Sequence, residues 1–360
     1  MRRCLQVLLL KEKRLKMREK EVGGNKYFLK LMGNTSIVYY PPSFSFSLLN
    51  KQQTIELLKR EKNVLLIKPK VKNPFYTCFF DLSYECNLKC VHCHNAYNLQ
   101  GMGYEQQLST LDQIFDLGVL HISFGGGEPT LYPHLLDILK YTTKHTSCSF
   151  VTNGALIDKK FIRKIRGLVA YVGVSLDGFR ETHKKMRNAD IFDKVIDTIK
   201  ILKNEGILVR VTTTPTKINF RDLPQLGEFI FNELKVDCWK MMKYIPEENR
   251  GKELSLNQKE ERWLYEQLNK LAKNYGDKTD YYFKINCPAG KSVFSIYANG
   301  NVSPCGFMPC LISGNVLKTP LIKILRNGTF FRILRCGEFK ECLSTKFWRG
   351  SNKFSKSIEL

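Results

Sequence analysis

Short apolar segments rich in β-branched and aromatic residues recur through the middle of the chain, at a spacing of about thirty residues. Such segments are typical of buried strands. Six are predicted, at residues 75–82, 119–124, 148–152, 170–175, 207–213 and 236–244. Segments of helical period separate them; the clearest ends at Gly206, a suitable C′ residue, and has Ile191, Val195, Ile199 and Leu202 on one face. The pattern predicts an α/β fold, a partial (βα)6 TIM-like barrel with a parallel sheet and right-handed crossovers.

Another pattern precedes the barrel. Residues 26–31, 36–40 and 44–49 predict short strands around the Pro41-Pro42 break, and Asn50 predicts the cap of a helix through Gln53. We interpret this small α+β appendage as a packing clip on the barrel, with a substrate-docking module as the alternative. After Tyr282 the strand-helix repeat stops. The predicted domains are therefore residues 1–75, a basic extension with the appendage, the barrel at 76–282, and a C-terminal domain at 283–360.

The composition is that of a globular protein, because 43% of the 360 residues are hydrophobic and 25% are charged. The formal net charge is +23, but residues 1–30 and 318–360 each hold ten basic and three acidic residues. The middle of the chain is therefore only weakly basic. We interpret the termini as solvated ends, and a nucleic-acid groove is not indicated.

Localisation follows from the apolar runs. None approaches the roughly 18 residues of a membrane helix, and the early run at residues 5–10 has no cleavage site after it. We therefore expect a cytoplasmic protein with no membrane partner. In a reducing compartment, cysteines at fixed spacings indicate metal binding or catalysis before disulfides. The chain has twelve cysteines.

Three of them follow the first barrel strand, where Cys86, Cys90 and Cys93 form a Cys-x-x-x-Cys-x-x-Cys motif. Three thiolates on one loop can bind three irons of a 4Fe-4S cluster, whose usual ligands are four cysteines. The fourth iron would stay open to a cofactor or substrate, as the open position of a catalytic zinc site does. The alternative is a zinc site that uses Cys90, Cys93 and a nearby histidine, His92 or His94.

The cysteine motif at this position resembles that of the radical S-adenosylmethionine (radical SAM) superfamily. Three further motifs of that family occur in order, each after the next strand: Gly125-Gly-Gly-Glu-Pro129, Thr152-Asn-Gly154 and Ser175-Leu-Asp-Gly178. The resemblance implies that the first contacts the methionyl amino group, to which glycine backbone and Glu128 are suited. It implies that the other two lie near the ribose and carboxylate.

The candidate cofactor-binding residues are therefore drawn from these motifs, the cysteine loop and a downstream segment. His183 and Arg187 resemble the family's His…Arg-Gly segment, although Asn188 replaces the glycine and Lys184 the usual acid. The candidates for S-adenosylmethionine and its cluster are His92, Gly126, Gly127, Glu128, Thr152, Asn153, Ser175, Asp177 and Arg187.

A second group of cysteines lies in the C-terminal domain. Asn299-Gly300 predicts a tight hairpin turn that brings Cys287 and Cys305 to the same end. This Cys-x12-Gly-x4-Cys pattern resembles the opening of a SPASM or shorter twitch domain, which binds auxiliary 4Fe-4S clusters. Two further ligands of the full SPASM pattern are missing, because Ile333 and Lys346 occupy their positions. We predict one auxiliary cluster, with Cys310 as a competing ligand and zinc as the alternative metal; its ligands are Cys287, Cys305, Cys336 and Cys342.

Three other cysteines lie in predicted strands and are predicted to be small buried apolar residues; they are Cys78, Cys148 and Cys238.

The resemblance implies an oxidoreductase or maturase that cleaves S-adenosylmethionine reductively under anaerobic conditions. The resulting 5′-deoxyadenosyl radical abstracts a hydrogen atom from substrate, with an electron donor such as ferredoxin or flavodoxin. A peptide, protein or cofactor precursor is the expected substrate. The alternative is a tetrapyrrole with propionate groups, indicated by similarity around residues 239–246 and favoured if basic residues face the barrel mouth. A non-catalytic metal-binding module that contacts nucleic acid is the alternative of another class.

Overall fold

The structure, a computed structural model, describes residues 26–32, 35–93, 99–246, 251–281, 288–307 and 311–336. Its first part is a small four-stranded sheet with one helix, as the sequence predicts for the appendage. The sheet has the order β3-β2-β1-β4, with β1 and β4 parallel and the other pairs antiparallel. Its elements are β1 (Tyr27–Met32), β2 (Thr35–Tyr40), β3 (Ser45–Asn50), α1 (Lys51–Arg60) and β4 (Val64–Ile67).

The start of α1 is confirmed as predicted. The Asn50 side chain accepts a hydrogen bond from the Gln53 amide, and the Gln53 side chain accepts one from the Asn50 amide, each at 2.9 Å. This reciprocal cap satisfies two amides that the first turn leaves without intrahelical partners. Strand β4 was not predicted, because four consecutive apolar residues show no alternation that distinguishes a strand from a helix end.

The barrel sheet contains seven parallel strands in sequence order. They are β5 (Thr77–Ser83), β6 (His121–Gly126), β7 (Ser147–Thr152), β8 (Tyr171–Ser175), β9 (Val209–Thr213), β10 (Cys238–Met241) and β11 (Thr279–Tyr281). The first six confirm the six predicted strands. The seventh, β11, extends the edge beside β10 and was not predicted, because it is only three residues long.

Helices connect successive strands and pack on the sheet. They are α2 (Tyr104–Asp116), α3 (Leu135–Thr143), α4 (Lys159–Ile165), α5 (Arg180–Arg187), α6 (Phe192–Asn204), α7 (Leu223–Asn232) and α8 (Gln258–Tyr275). On α6 the predicted apolar face is buried, since Val195, Ile199 and Leu202 have no exposed surface. Gly206 follows with φ +73°, a left-handed conformation that suits glycine after a helix. Cys78, Cys148 and Cys238 are buried as predicted.

The C-terminal part joins the barrel sheet directly. Its elements are β12 (Val293–Ile296), β13 (Asn301–Ser303), β14 (Gly314–Asn315), α9 (Leu321–Asn327) and α10 (Thr329–Cys336). Strands β12 and β13 form the predicted antiparallel hairpin, with Gly300 at φ +84° in the turn. Strand β12 also pairs in parallel with β5, where Phe294 lies opposite Cys78. The sheet therefore continues from β5 through β12 and β13 to β14, a connection that the sequence did not predict.

The N-terminal sheet packs against the amino-terminal end of the barrel. Tyr39 lies 4.9 Å from His121, the first residue of β6, and Phe44 lies 5.0 Å from Tyr171, the first residue of β8, between ring centroids. Aromatic contacts of this kind bury large apolar areas. The contacts support the interpretation of the appendage as a packing clip.

A buried lysine strengthens the same attachment. Lys30 on β1 is 1% exposed, and its ammonium donates to the Asn73 side chain at 3.1 Å and to the carbonyls of Phe75 and Leu117 at 2.6 and 2.9 Å. Burial lowers the pKa of Lys30 to about 8, whereas three oxygen acceptors match the three donors of its charged form. Within the described residues, no helix is long and apolar enough to cross a membrane.

Candidate functional site

A cavity of about 460 Å³ opens at the carboxyl ends of the barrel strands. In parallel barrels this end collects the functional loops. Its wall contains Cys86, Cys90 and Cys93 of the loop after β5, so the three predicted ligands lie in one space. The C-terminal part contributes to the same wall through Tyr297 and Phe307, among others. The barrel and the C-terminal part therefore enclose one site together.

The three thiols form no disulfide and are partly buried. Desolvation raises the pKa of Cys86 to about 11 and also raises the pKa of Cys90. Thiols in such a place are neutral unless a positive charge binds them, and metal binding to cysteine releases the proton. The chemistry of the donor set therefore fits a metal group.

The spacing of these side chains bears on which metal group fits. Among the described residues, no three histidine, cysteine or carboxylate side chains converge on one point that could hold a metal ion. A 4Fe-4S cluster does not require such convergence, because each thiolate binds a different iron. The described geometry is therefore compatible with the cluster.

The glycine turn after β6 touches the cysteine loop directly. The amide of Gly127 donates to the Ser83 carbonyl, and the amide of Glu128 donates to the Glu85 carbonyl, both at 2.8 Å. A Cβ on Gly126 would lie 2.3 Å from the Ser83 oxygen, and one on Gly127 would lie 2.0 Å from the Glu85 oxygen. Gly126 also has φ +111°. Only glycines allow this approach of two backbones.

Glu128 is 2% exposed, and both of its carboxylate oxygens are used within the protein. One oxygen accepts from the Thr130 amide at 3.1 Å, the Thr130 hydroxyl at 2.6 Å and the Thr152 hydroxyl at 2.7 Å. The other accepts from the Asn153 amide at 2.7 Å. The Asn153 side chain in turn donates to Asn87 of the cysteine loop at 2.8 Å. The carboxylate therefore joins the turn after β6 to the loop after β7, and the Asn153 side chain extends the contact to the cysteine loop.

Asp177 and Arg187 form a buried ion pair, with 2.6 Å between the Asp177 Oδ2 and Arg187 Nη2 atoms. Arg187 also donates to the Cys90 sulfur at 3.7 Å, which connects α5 to the cysteine loop. His92 of that loop lies 3.9 Å from the same carboxylate oxygen. Burial by itself would raise the pKa of Asp177, but Arg187, His92 and His183 outweigh it and hold the pKa below its usual value.

His183 completes this cluster from α5. Its Nδ1 atom accepts a hydrogen bond from the Asp177 amide at 3.1 Å, so the ring is neutral and its proton is on Nε2. Desolvation is the main reason why the pKa of His183 is lowered to about 4. Here His183 fixes the loop after β8 rather than facing the cavity.

The structure therefore brings most of the predicted cofactor contacts together. Thr152, Asn153 and Ser175 line the same cavity as the cysteines and the glycine turn, as do His92 and Arg187. Asp177 reaches the site through Arg187.

The second cysteine group falls mainly outside the described residues, where Cys287, Cys310 and Cys342 lie. Cys305 follows β13, is partly buried and forms no disulfide with another described cysteine, and Cys336 is the last residue of α10. The predicted auxiliary ligand set stays a prediction.

Four charged residues of the cavity wall were not predicted from the sequence: Asp81, Arg210, Lys240 and Lys243. The first three lie within strands β5, β9 and β10, which also contain apolar residues. In a barrel strand, alternate residues face the interior, so a charge at such a position is a signal of a polar interior. The guanidinium of Arg210 lies 4.1 Å from the ring centroid of Tyr171.

Comparison with known proteins agrees with this geometry. The model of the radical SAM superfamily matches residues 81–230, and that of the SPASM iron-sulfur cluster-binding domain matches residues 287–345. Together they cover more than half of the chain. Residues 81–230 therefore form a radical SAM domain. The matches imply a 4Fe-4S cluster with S-adenosylmethionine and auxiliary iron-sulfur binding.

Two relatives illustrate the sequence similarity. Fe-coproporphyrin III synthase of Methanosarcina barkeri is 34% identical over 43% of this chain and 40% of its own length. The subtilosin biosynthesis protein AlbA of Bacillus subtilis is 28% identical over 66% of this chain and 56% of its own length. The chain therefore matches about half of the length of each of these two relatives.

Solved structures show the same fold. SuiB of Streptococcus suis has a TM-score of 0.67 and 17% identity, covering 88% of this chain and 91% of SuiB. The protein anSMEcpe with bound AdoMet and a peptide has a TM-score of 0.59 and 21% identity, covering 76% and 87%. At these identities the likeness concerns the radical SAM fold alone.

Proposed function

We propose that this protein is a radical SAM enzyme that holds a 4Fe-4S cluster on Cys86, Cys90 and Cys93 and binds S-adenosylmethionine beside it. The bound cofactors would supply a 5′-deoxyadenosyl radical that abstracts a hydrogen atom from the substrate. The observation that carries the proposal is the meeting of the three thiols with the glycine turn in one cavity at the carboxyl ends of the strands.

The chain's own residues would position and shield this chemistry. Arg187 places a positive charge 3.7 Å from the Cys90 sulfur, which favours its thiolate form. Gly126 and Gly127 allow the turn to lie against the backbone of the cysteine loop, and Glu128 holds that turn in place. The C-terminal wall of the cavity limits the access of water and protects a reactive intermediate.

For the substrate we propose a peptide or protein, which makes the enzyme a maturase. The support comes from relatives: a mycofactocin maturase of Mycolicibacterium smegmatis is 26% identical over 75% of this chain and 79% of its own length. SuiB has also been solved with the precursor peptide SuiA. A ferredoxin or flavodoxin in the cytoplasm is the electron donor that we propose.

A second candidate substrate is a tetrapyrrole that carries carboxylates. Arg210, Lys240 and Lys243 line the cavity, and basic side chains are the usual partners of carboxylates in proteins. Lys243 is also paired with Glu261 at 2.7 Å. An AdoMet-dependent heme synthase of Methanosarcina barkeri is 26% identical over 71% of this chain and 83% of its own length.

The test is reductive cleavage of S-adenosylmethionine by the anaerobically reconstituted protein. With dithionite, we expect 5′-deoxyadenosine to form and the protein to contain iron and sulfide. Changing Cys86, Cys90 and Cys93 together to alanine should abolish 5′-deoxyadenosine formation. Cys148→Ala, which removes a buried thiol outside the cavity, should retain it.

Retained cleavage in the triple variant, or zinc in place of iron, would contradict the proposal. Failure to cleave S-adenosylmethionine combined with strongly salt-dependent nucleic-acid binding would favour the non-catalytic alternative. To separate the substrates, 5′-deoxyadenosine formation is compared with added iron-coproporphyrin III and with a peptide fraction of cell extract. The one that stimulates it indicates the substrate class.

A further inference from the structure

Three segments of the chain meet at Met186, a fully buried residue of α5. Its carbonyl accepts a hydrogen bond from the Val91 amide of the cysteine loop at 3.1 Å. Its sulfur accepts one from the Thr216 hydroxyl, in the loop after β9, at 3.2 Å. The cysteine loop is therefore held against α5, and α5 against the loop after β9.

Each of the three segments presents an exposed lysine beside this junction. They are Lys89 of the cysteine loop, Lys185 of α5 and Lys217 of the loop after β9. Each lies within two residues of one of the contacts at Met186. None of the three forms an ion pair with a residue in the part of the chain that the structure describes. We call this group of side chains the three-lysine surface.

The surface stays positive when its acidic neighbours are counted. Asp190 pairs with another lysine of α5, Lys184, at 3.7 Å between Oδ2 and Nζ. The exposed Glu181, one helical turn before Lys185, offsets at most one of the three charges. Glu85 lies at the other end of the cysteine loop, where its carbonyl contacts the glycine turn.

The three-lysine surface covers the outer side of the loop that carries the predicted cluster ligands. Cys90 and His92 line the cavity. Lys89 and Val91, which alternate with them, are exposed and do not belong to its described wall. The Val91 side chain is 45% exposed and adds an apolar group to the surface. A single layer of chain therefore separates this surface from the predicted cluster site.

A basic surface in this position fits an acidic protein that delivers electrons. Complementary exposed charges speed up the encounter of two proteins and orient them. Complexes of electron-transfer proteins are small and transient, so a few charges around one apolar residue are enough to define one. The proposed cleavage of S-adenosylmethionine requires one electron, which a protein donor can pass on only from close to the cluster.

We propose that the three-lysine surface docks an acidic one-electron carrier protein, a flavodoxin or ferredoxin, and that the electron enters across the cysteine loop. In this step the carrier is oxidised by one electron and the 4Fe-4S cluster is reduced by one. No bond forms or breaks, and no proton moves. The inference rests on the proposed function, because it requires the cluster on the cysteine loop.

The experiment measures binding of a purified flavodoxin and of a purified ferredoxin to the reconstituted holoprotein by anaerobic calorimetry. The surface variant combines Lys89→Glu, Lys185→Glu and Lys217→Glu. We expect its Kd for the carrier to rise about 10-fold or more at low salt, because three attractive charges become repulsive. The Kd of the wild type should rise between about 0.05 and about 0.2 M sodium chloride, because salt screens exposed charges, and that of the surface variant should depend less on salt.

The matched control changes the net charge equally at the opposite end of the barrel. It combines Lys51→Glu, Lys59→Glu and Lys62→Glu, three exposed residues of the N-terminal appendage. Its Kd for either carrier should equal that of the wild type. A variant with arginine at the three surface positions keeps the charge and should also bind as the wild type does.

A second measurement compares 5′-deoxyadenosine formation with two reductants. Dithionite is a small molecule that needs no docking surface, so wild type, surface variant and control variant should form 5′-deoxyadenosine at the same rate with it. With a subsaturating reduced carrier, the surface variant should be slower by the factor by which its Kd rises. The control variant should match the wild type with both reductants.

Unchanged binding of both carriers to the surface variant would overturn the inference, as would an equal loss of binding in the control variant. Failure of both carriers to bind the wild type would overturn it too. A surface variant that loses its iron and its dithionite-driven activity would show that the lysines support the loop and not a partner. A wild-type holoprotein that contains its iron but forms no 5′-deoxyadenosine with dithionite would overturn the proposed function itself, and the inference with it.

Discussion

Replacing Gly127 with alanine tests whether the contact between the glycine turn and the cysteine loop determines cluster binding. The new Cβ would lie 2.0 Å from the Glu85 carbonyl oxygen and 2.5 Å from its carbon, whereas ordinary contact begins at 3.4 Å. One of the two backbones must therefore move by about 1.4 Å, the difference between these distances. Both atoms belong to backbone, so no side-chain rotation can relieve the overlap.

The movement would break two hydrogen bonds of 2.8 Å, from Gly127 to Ser83 and from Glu128 to Glu85. At about 1 kcal/mol net for each bond, and more if a buried group is left unpaired, the local cost is about 2–4 kcal/mol. A loop that carries three cluster ligands would then no longer present them together. We expect Gly127→Ala to lose about four irons per chain, the content of one 4Fe-4S cluster.

The assay is iron and sulfide content after anaerobic reconstitution, followed by binding of S-adenosylmethionine. The control is Gly103→Ala, because the nearest atom to its new Cβ is a side-chain oxygen at 3.8 Å, and its iron content should equal that of the wild type. If Gly127→Ala binds iron and S-adenosylmethionine as the wild type does, the close backbone approach does not hold the cluster loop.

Two further predictions concern stability. Lys30→Met should lower the free energy of unfolding by about 3 kcal/mol, because the Phe75 carbonyl loses its donor in a buried site. Urea unfolding measures this free energy, and Lys51→Met, at an exposed position, is the control. A loss below about 1 kcal/mol in Lys30→Met would contradict the prediction. The raised pKa of Asp81, about 7, means that the folded protein keeps a proton that the unfolded chain loses near pH 4. Wild-type stability should therefore fall relative to Asp81→Asn between about pH 4 and 7 and not further above; parallel thermal unfolding curves at all pH values would refute this.

The barrel could be predicted because each of its first six strands is a short apolar run rich in β-branched and aromatic residues, and such runs recur about every thirty residues. β-rich apolar runs, helical periods and Gly206 are properties of short segments, and the structure confirms them. The pairing of β12 with β5 has no such signal, because Val293 and Thr77 are more than two hundred residues apart and alternation does not name a partner strand.

Part of the site could be predicted in the same way. The cysteine motif and the glycine turn are each a short continuous segment that follows a strand, so the sequence predicted that they lie at the same end of the barrel. The four hydrogen bonds to Glu128 depend on how two loops fold over each other, which a motif does not specify. Asp81 was missed because it belongs to no motif, and only the barrel geometry shows that it faces the cavity.

The parallel pairing of β12 with β5 joins the barrel and the C-terminal part into one sheet. Strand β5 leads directly into the cysteine loop. Strand β12 forms a hairpin with β13, and Cys305 follows β13. A chain that stopped at residue 282 would leave β5 with an open row of amides and carbonyls, an edge of the kind that recruits other chains into aggregates. The C-terminal part therefore covers this edge of the barrel sheet, and the strand that leads into the cluster loop is paired on both sides, with β6 and with β12.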